Sequence, residues 1–577
     1  MPAEADPKND LWAFREGRKS SAGETLFDDL RSSIAELCAH PRDSSLAISA
    51  LLRAGEFEAG LADAISPAHM IAQCLTDELA SVFLGESKML DRVRALIQQM
   101  SGVEFPESLS ISAPEGFAYY ALHPHDYARL AETVVTRNDS ALVVGIRSIG
   151  TTLSAIVCAA LKQRDKAVIR ITVRPTGHPY DRVVHFSADQ LESIHRWNVR
   201  QSDFLVVDEG PGRSGSSFLS AGETLARAGV PVERITLLGS RQADVNQLCT
   251  TKARERWSRF RFRSPKPAVY TRFKNHIYVG GGSWRNLLLK DDFPRPACWP
   301  QMERLKFLSP DRKSIFKFEG FGRFGQQVIT RAGIIAKAGF GCQALDAGDG
   351  MIVYPVVRGQ ALTAAELSTE LLERLARYCA FRAAEFRMSN SPPSQLSAML
   401  KFNVLHEFGI ELFLDTDDLS TAEPILSDAR MQPHEWIRRD NSQIVKVDAY
   451  THGDDHFFPG PSDVAWDLAG AIVEWNLQQD ATDYFLSTFR RVSGIDRSQQ
   501  LDTFILAYTV LRLAYWRMAL PTVKASSEEQ RVAQAYESYR ALAQDQLRKR
   551  GEHFKGEMLK KTSLSRGDVA IAPRTAA

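Results

Sequence analysis

Several familiar signals are missing from this chain of 577 residues, and each absence narrows the field. No run of about 18 apolar residues occurs, so no segment reads as a membrane-spanning helix. The N-terminus, MPAEADPKNDLWAFREGRKS, lacks the apolar core of a secretory signal. The seven cysteines (Cys38, Cys74, Cys158, Cys249, Cys298, Cys342, Cys379) are odd in number and scattered. None forms a C-x-x-C pair, which argues against a zinc ribbon or a disulfide framework and fits a reducing, cytoplasmic setting. A dominant charge is missing too: 71 Lys and Arg stand against 70 Asp and Glu, a net charge of +1. That balance provides no global field for nucleic acid or an anionic membrane, although a local basic groove remains allowed. No repeat is evident at a period of about 20–50 residues. What is present is globular in composition, 44% hydrophobic and 24% charged, which disfavours wholesale disorder. The length fits two to four domains at about 150 residues each.

Along the chain, residues 1–24 are polar and read as loose, and residues 25–100 carry helical patterns without strand alternation. The character then changes. ALVVGI (141–146), AVIRITV (167–173), DFLVVDEG (203–210) and VERITLLGS (232–240) are apolar runs separated by helix-like stretches. Such alternation predicts a parallel, doubly wound α/β sheet. From about residue 300, RKSIFKFEGFG and GMIVYPVVRG read as strands around a helix near 326–338, and a helix-rich part follows. The expected organisation is a helical N-terminal region (1–112), a parallel-sheet domain (113–295), an α+β domain (296–562) and a flexible tail (563–577).

The most informative segment is Val206-Val207-Asp208-Glu209-Gly210-Pro211-Gly212-Arg213-Ser214-Gly215-Ser216-Ser217. A strand ends in two acids, and a loop of small residues then opens a helix. Gly212 and Gly215 let backbone N–H groups approach an anion, and the helix N-terminus adds a favourable dipole. Ser214, Ser216 and Ser217 add hydroxyl donors. Asp208 and Glu209 can accept from a vicinal diol or sit beside hydrated Mg2+. This segment resembles the phosphoribosyl-diphosphate (PRPP) signature of type I phosphoribosyltransferases, with a linker one residue longer than usual. The resemblance implies that Asp208 and Glu209 hold the ribose hydroxyls, with Asp208 near the metal, and that residues 212–217 wrap the 5′-phosphate. Arg147, Ser148 and Gly150 follow the first sheet strand, where that family has its diphosphate loop. Arg174 and Arg182 follow the second, where it has a mobile lid. The implied reaction is Mg2+-dependent displacement at ribose C1 with diphosphate leaving, driven by positioning and by charge stabilisation. On a plainer reading, Gly/Ser loops after strands are common in α/β folds and V-V-D-E is a strand end.

A second constellation lies at 305–475. Lys317 sits in mid-strand in Ile315-Phe316-Lys317-Phe318, Met351–Gly359 reads as a strand and hinge, and Asp448 ends Ile444-Val445-Lys446-Val447. With Asp463-Val464-Ala465-Trp466-Asp467-Leu468-Ala469, this order resembles a divergent protein-kinase/aminoglycoside-phosphotransferase domain, which implies ATP and a metal at Asp448. Two positions depart from that pattern: Arg430 falls where the catalytic Asp belongs, and Glu435 where the Asn belongs. No Gly-rich phosphate loop is evident after Lys317, and Gly280-Gly281-Gly282-Ser283 reads either as an anion loop or as a junction. His452-Gly453-Asp454-Asp455-His456 reads either as a metal-binding or nonstandard active segment, or as a polar loop.

Three functions therefore stand: a PRPP-dependent transferase fused to a kinase-like domain, a PRPP- or nucleotide-sensing protein without turnover, and a small-molecule kinase whose parallel-sheet half recognises a sugar phosphate. Small molecules are the expected partners, with the acceptor and any homo-oligomer left open.

Overall fold

The computed structural model describes residues 18–134, 139–178, 180–212, 214–246, 248–267, 269–388, 395–414, 419–455 and 457–551. Among the described residues the strands form four sheets, within a mixed α/β chain. One sheet is five-stranded and parallel throughout. Its spatial order is Ala167–Val173, Ser140–Ile146, Asp203–Val207, Ile235–Leu238, Arg261–Arg263. Every residue of Ser140–Ile146 is buried, as a central strand covered on both faces requires. On one face lie the helices Ala188–Val199 and Ser216–Arg227, which bring Ile194, Trp197, Phe218 and Leu225 against Leu142, Val144 and Val206. On the other lies Ile149–Lys162, apolar almost all round because it is sandwiched between the sheet and the N-terminal helices.

Those N-terminal helices include Gly23–Ala39, Ser44–Asp63, His69–Phe83 and Leu90–Met100. Ser44–Asp63 approaches the sandwiched helix so closely that a Cβ at Gly55 would lie 2.0 Å from Thr152 Oγ1. A buried charge cluster locks this layer to the sheet. Arg170, inside strand Ala167–Val173, donates to both Glu58 oxygens (2.8 and 2.9 Å) and to Asp77 (2.6 Å). The expectation for residues 1–24 needs one correction. Arg18–Ser21 is a strand, paired antiparallel with Leu109–Ser112, since the return of the chain after the helices provides it with a partner.

A second five-stranded sheet, antiparallel, runs in the order Leu345–Asp346, Met351–Pro355, Ser314–Phe318, Lys306–Leu308, Ile277–Tyr278. Its edge strand precedes residue 296, so this sheet draws on both sides of the expected boundary. Helix Arg323–Lys337 follows the lysine strand. The chain then crosses at 356–359 into a helical half built around the fully buried Trp436, Trp466 and Trp475. Gln360–Ala361, Trp436–Arg438 and Ile444–Lys446 form a short antiparallel sheet there. No helix among the described residues is long and apolar enough to cross a membrane.

Candidate functional site

Between the antiparallel sheet and the helical half lies a cavity of about 280 Å³. Its walls come from the lysine strand and its neighbour (Lys306, Ile315, Lys317), from the end of strand Met351–Pro355 and the crossing segment after it (Tyr354, Val356, Val357) and from the loops carrying Arg430, Glu435, Asp448 and Asp455. Gly280–Gly282, directly after the edge strand, closes one side through Val279 and Trp284. Gly282 N–H and Trp284 Nε1 donate to the Glu303 carboxylate at 2.8 and 2.9 Å, so this turn already holds an anion supplied by the chain itself.

Lys317 is placed by its register, opposite Ile352 on one side and Lys306 on the other. Its ammonium contacts the Asp448 carboxylate and lies 3.0 Å from Glu319. Glu319 in turn accepts from Tyr354 Oη at 2.9 Å and pairs with Arg304 at 3.3 Å. Asp448 adopts φ +57°, a conformation unusual for a side-chain-bearing residue. Burial opposes its ionisation, but Lys317, His452 and Lys306 outweigh that cost and hold its carboxyl well below the usual range.

Behind the cavity wall sits a denser knot. Lys446, fully buried, lies 2.7 Å from Glu435 and 3.1 Å from Asp428. Burial alone would depress this lysine, yet Asp428 and Glu435 raise it. Burial pushes Glu435 up to about 7 against the pull of Lys446. Tyr378 donates to Asp428, and Asp467 accepts the backbone N–H groups of Asp428 and Ala429 at 3.0 and 3.1 Å. Ala429 has φ +65°, so Asp467 holds a sharply turned loop in place and thereby aims Arg430. The ligand atoms of Asp428, Glu435 and His452 converge to within 4.8 Å of one another. Mg2+ prefers oxygen ligands, whereas this trio includes an imidazole. The trio fits that ion poorly, and Asp448 with Glu435, both lining the cavity, offers the better oxygen pair.

The parallel sheet carries its own cluster. Asp208 and Glu209 follow strand Asp203–Val207 at the point where the strand order reverses, the place where open α/β sheets receive ligands. Asp208 accepts from Glu209 N–H at 2.8 Å, and Glu209 from Gly116 N–H at 2.9 Å. Burial pushes Asp208 up to about 7. Burial, then Glu115 and Asp208, push Glu209 up to about 8. Gly215 has φ +66° and starts helix Ser216–Arg227, and a Cβ there would meet the Trp257 ring at 2.9 Å. Space beside Gly212 is open. Ser214 Oγ and Ser216 Oγ are 2.9 Å apart, and Ser217 is half-buried. Arg213 lies outside the described residues, as does His456. Gly150, the second residue of helix Ile149–Lys162, is packed so tightly that a Cβ would be 2.6 Å from Val207 O.

The arginines expected to meet diphosphate have partners within the chain. Arg147 reaches Asp63 at 2.8 Å. Arg174 reaches Asp63 at 2.6 Å, Arg147 O at 2.7 Å and Ser148 Oγ at 3.3 Å. Burial works against Asp63 ionising, but Arg174 and Arg147 prevail and lower its carboxyl. Arg182 donates to Gly177 O at 2.7 Å on an exposed turn. Asp63, Glu319, Asp428, Lys446 and Arg512 were not singled out as functional from the sequence. Each is a charged residue in an ordinary helix, strand or loop pattern, and only the folded topology shows its partner.

One segment joins the two clusters. Across Glu115–Tyr120, Gly116 N–H binds Glu209, Phe117 O accepts from Phe321 N–H at 3.1 Å, Ala118 O accepts from Arg304 at 3.2 Å, and Tyr119 Oη donates to Asp454 O at 3.0 Å.

No protein-family model matches the sequence, and no curated protein matches it. Among solved structures, the chain is similar to a Plasmodium vivax ethanolamine kinase (9% identity, 41% of this chain and 79% of that one, TM-score 0.29). It is likewise similar to choline kinase LicA from Streptococcus pneumoniae (12% identity, 41% and 90%, TM-score 0.29). A third is spectinomycin phosphotransferase APH(9)-Ia in complex with ADP and spectinomycin (10% identity, 47% and 95%, TM-score 0.29).

Proposed function

We propose that the chain is a nucleotide-dependent phosphotransferase acting on a small molecule, with the cavity between the antiparallel sheet and the helical half as its nucleotide site. The observation that carries this reading is the contact of Lys317 with Asp448 on the wall of a cavity that the crossing segment 355–357 also lines. Lys317, oriented by Glu319, would hold phosphate oxygens, and Tyr354 and Val357 would flank a base. Asp448 and Glu435 would hold Mg2+, which neutralises charge developing between nucleotide phosphates. Phosphoryl transfer asks the protein mainly for positioning and electrostatics, so Arg430, which cannot accept a proton, does not by itself preclude it. Asp455 lines the same cavity and is the carboxylate assigned here to take the acceptor's proton. Transfer from γ-labelled ATP, tested against a panel of small hydroxyl and amine compounds, is expected to fall about 100-fold or more in K317M and in D448N. No ATP binding by the unaltered chain in calorimetry overturns the reading.

The parallel-sheet cluster supports recognition of a ribosyl or phosphosugar group, with Asp208 and Glu209 at the diol and residues 212–217 at the phosphate. PRPP transfer, the first expectation from the sequence, has less support, because Asp63 engages Arg147 and Arg174, and Glu209 is tied to Gly116. Diphosphate release from PRPP in the presence of bases or amines would restore it. Arg430 in place of a catalytic acid favours a second reading, ligand sensing without turnover; nucleotide binding with no transfer across the panel selects it.

A further inference from the structure

Most of the charges lining the cavity have nearby partners of opposite sign. Lys306 pairs with Glu303 at 3.5 Å, Lys317 with Asp448, Glu435 with Lys446, Arg304 with Glu319, and Arg512 with Glu474 at 3.5 Å. Arg430 is different. Among the described residues no carboxylate lies within ion-pair distance of its guanidinium, which instead stands 5.4 Å from the centroid of the Tyr515 ring. Arg512 stands over the same ring at 5.5 Å, so two guanidinium groups share one aromatic support beside one cavity. Asp455 and Glu435 also face Arg430, but Asp455 caps Phe457 N–H at 2.9 Å and Glu435 is held by Lys446.

Arg512 and Arg430 repel each other across this wall of the cavity, and an anion placed between them relieves that repulsion. A guanidinium lying flat on an aromatic ring keeps its in-plane N–H fork for a partner of matching geometry, and a phosphoryl group has that geometry. The strapped loop at 428–430 fixes the direction of approach, since Asp467 holds its backbone.

We propose that Arg430, supported on Tyr515 beside Arg512, anchors an anion subsite in the cavity that receives a phosphoryl group. This deepens the nucleotide reading without depending on it, because the phosphoryl group belongs either to a nucleotide or to a second small molecule. The subsite replaces a proton acceptor with a charge that grips an oxyanion.

The test is calorimetric titration of the full-length chain and of R430Q and R430K with pyrophosphate, ATP, AMP and adenosine, with melting temperatures recorded in parallel. R430Q is expected to weaken pyrophosphate about tenfold or more, as loss of a charge-assisted hydrogen bond implies, and R430K to recover only part of that loss, since lysine restores the charge without the planar fork. If R430Q weakens ATP equally and leaves adenosine unchanged, the group is the nucleotide's own. If pyrophosphate still binds in an Arg430-dependent way beside saturating ATP, the group belongs to a second molecule. Arg430-dependent pyrophosphate binding without any ATP binding leaves the subsite standing and removes the nucleotide reading. ATP binding lost in K317M but untouched in R430Q, with pyrophosphate also untouched, removes the subsite alone. A folded R430Q that binds every ligand like the unaltered chain overturns the proposal.

Discussion

The two clusters handle buried charge in opposite ways. In the antiparallel cleft, acids and bases are interleaved: Lys446 serves two carboxylates and Lys317 two more, so burial is offset within the site. At the parallel sheet, signs are segregated. Asp208 and Glu209 stand together and rise towards neutrality, while the arginines nearby are engaged by Asp63 from another layer. An interleaved site is rigid and sensitive to loss of one member. A segregated site is poised, since a ligand bearing its own cation or anion can take over either partner.

The largest expected effect breaks the interleaved side. K446M leaves two carboxylates buried without their cation and should cost about 3–5 kcal/mol of stability in urea unfolding. The triple variant K446M/D428N/E435Q should recover most of it, because the uncompensated charges leave together. A K446M chain as stable as the unaltered one would show that the knot is wetter than its geometry implies.

The next effect belongs to the segregated side and appears as pH dependence. Unfolded carboxyls ionise near about 4, whereas Asp208 and Glu209 do so at about 7 and about 8 when folded. Between those values the native state keeps protons that the unfolded chain has released. Their stabilising contribution is therefore full below about pH 4, falls as pH rises through 7 and 8, and is constant above. Stability should therefore fall across this range, and D208N/E209Q should flatten the fall while matching the unaltered chain at pH 4. Unfolding midpoints at pH 4, 6 and 8.5 decide this.

The smallest effect sharpens the contrast. D63N releases Arg147 and Arg174, at a stability cost of about 1 kcal/mol. It should tighten pyrophosphate binding at the parallel sheet about threefold or more in titrations run in the R430Q background, where the cleft contribution is removed. Unchanged affinity would mean that the arginines remain occupied by other groups.

What was legible in the sequence follows from the same physics. Strands Ser140–Ile146 and Asp203–Val207 announce themselves because burial on both faces demands near-continuous apolar runs, and Ala167–Val173 is still readable although Arg170 interrupts it. Arg261–Arg263 does not, since one buried Phe262 between two exposed arginines carries no such pattern. Ile277–Tyr278 is likewise too short to read, which obscured the place of Gly280–Gly282 beside the lysine strand. Lys317 and Asp448 were legible as members of an ordered series of motifs. Lys446 was not, because a lysine in a strand ordinarily marks solvent, and its burial is decided by two acids 11 and 18 residues upstream.

The stretch Glu115–Tyr120 sets a limit on dissection of the gene. A fragment ending near residue 295 keeps Gly116 and Glu209 but discards Arg304, Phe321 and Asp454, the posts to which this stretch is moored. Its carboxylates would titrate in surroundings that the whole polypeptide never offers them, so assays on separated halves would report on artificial objects.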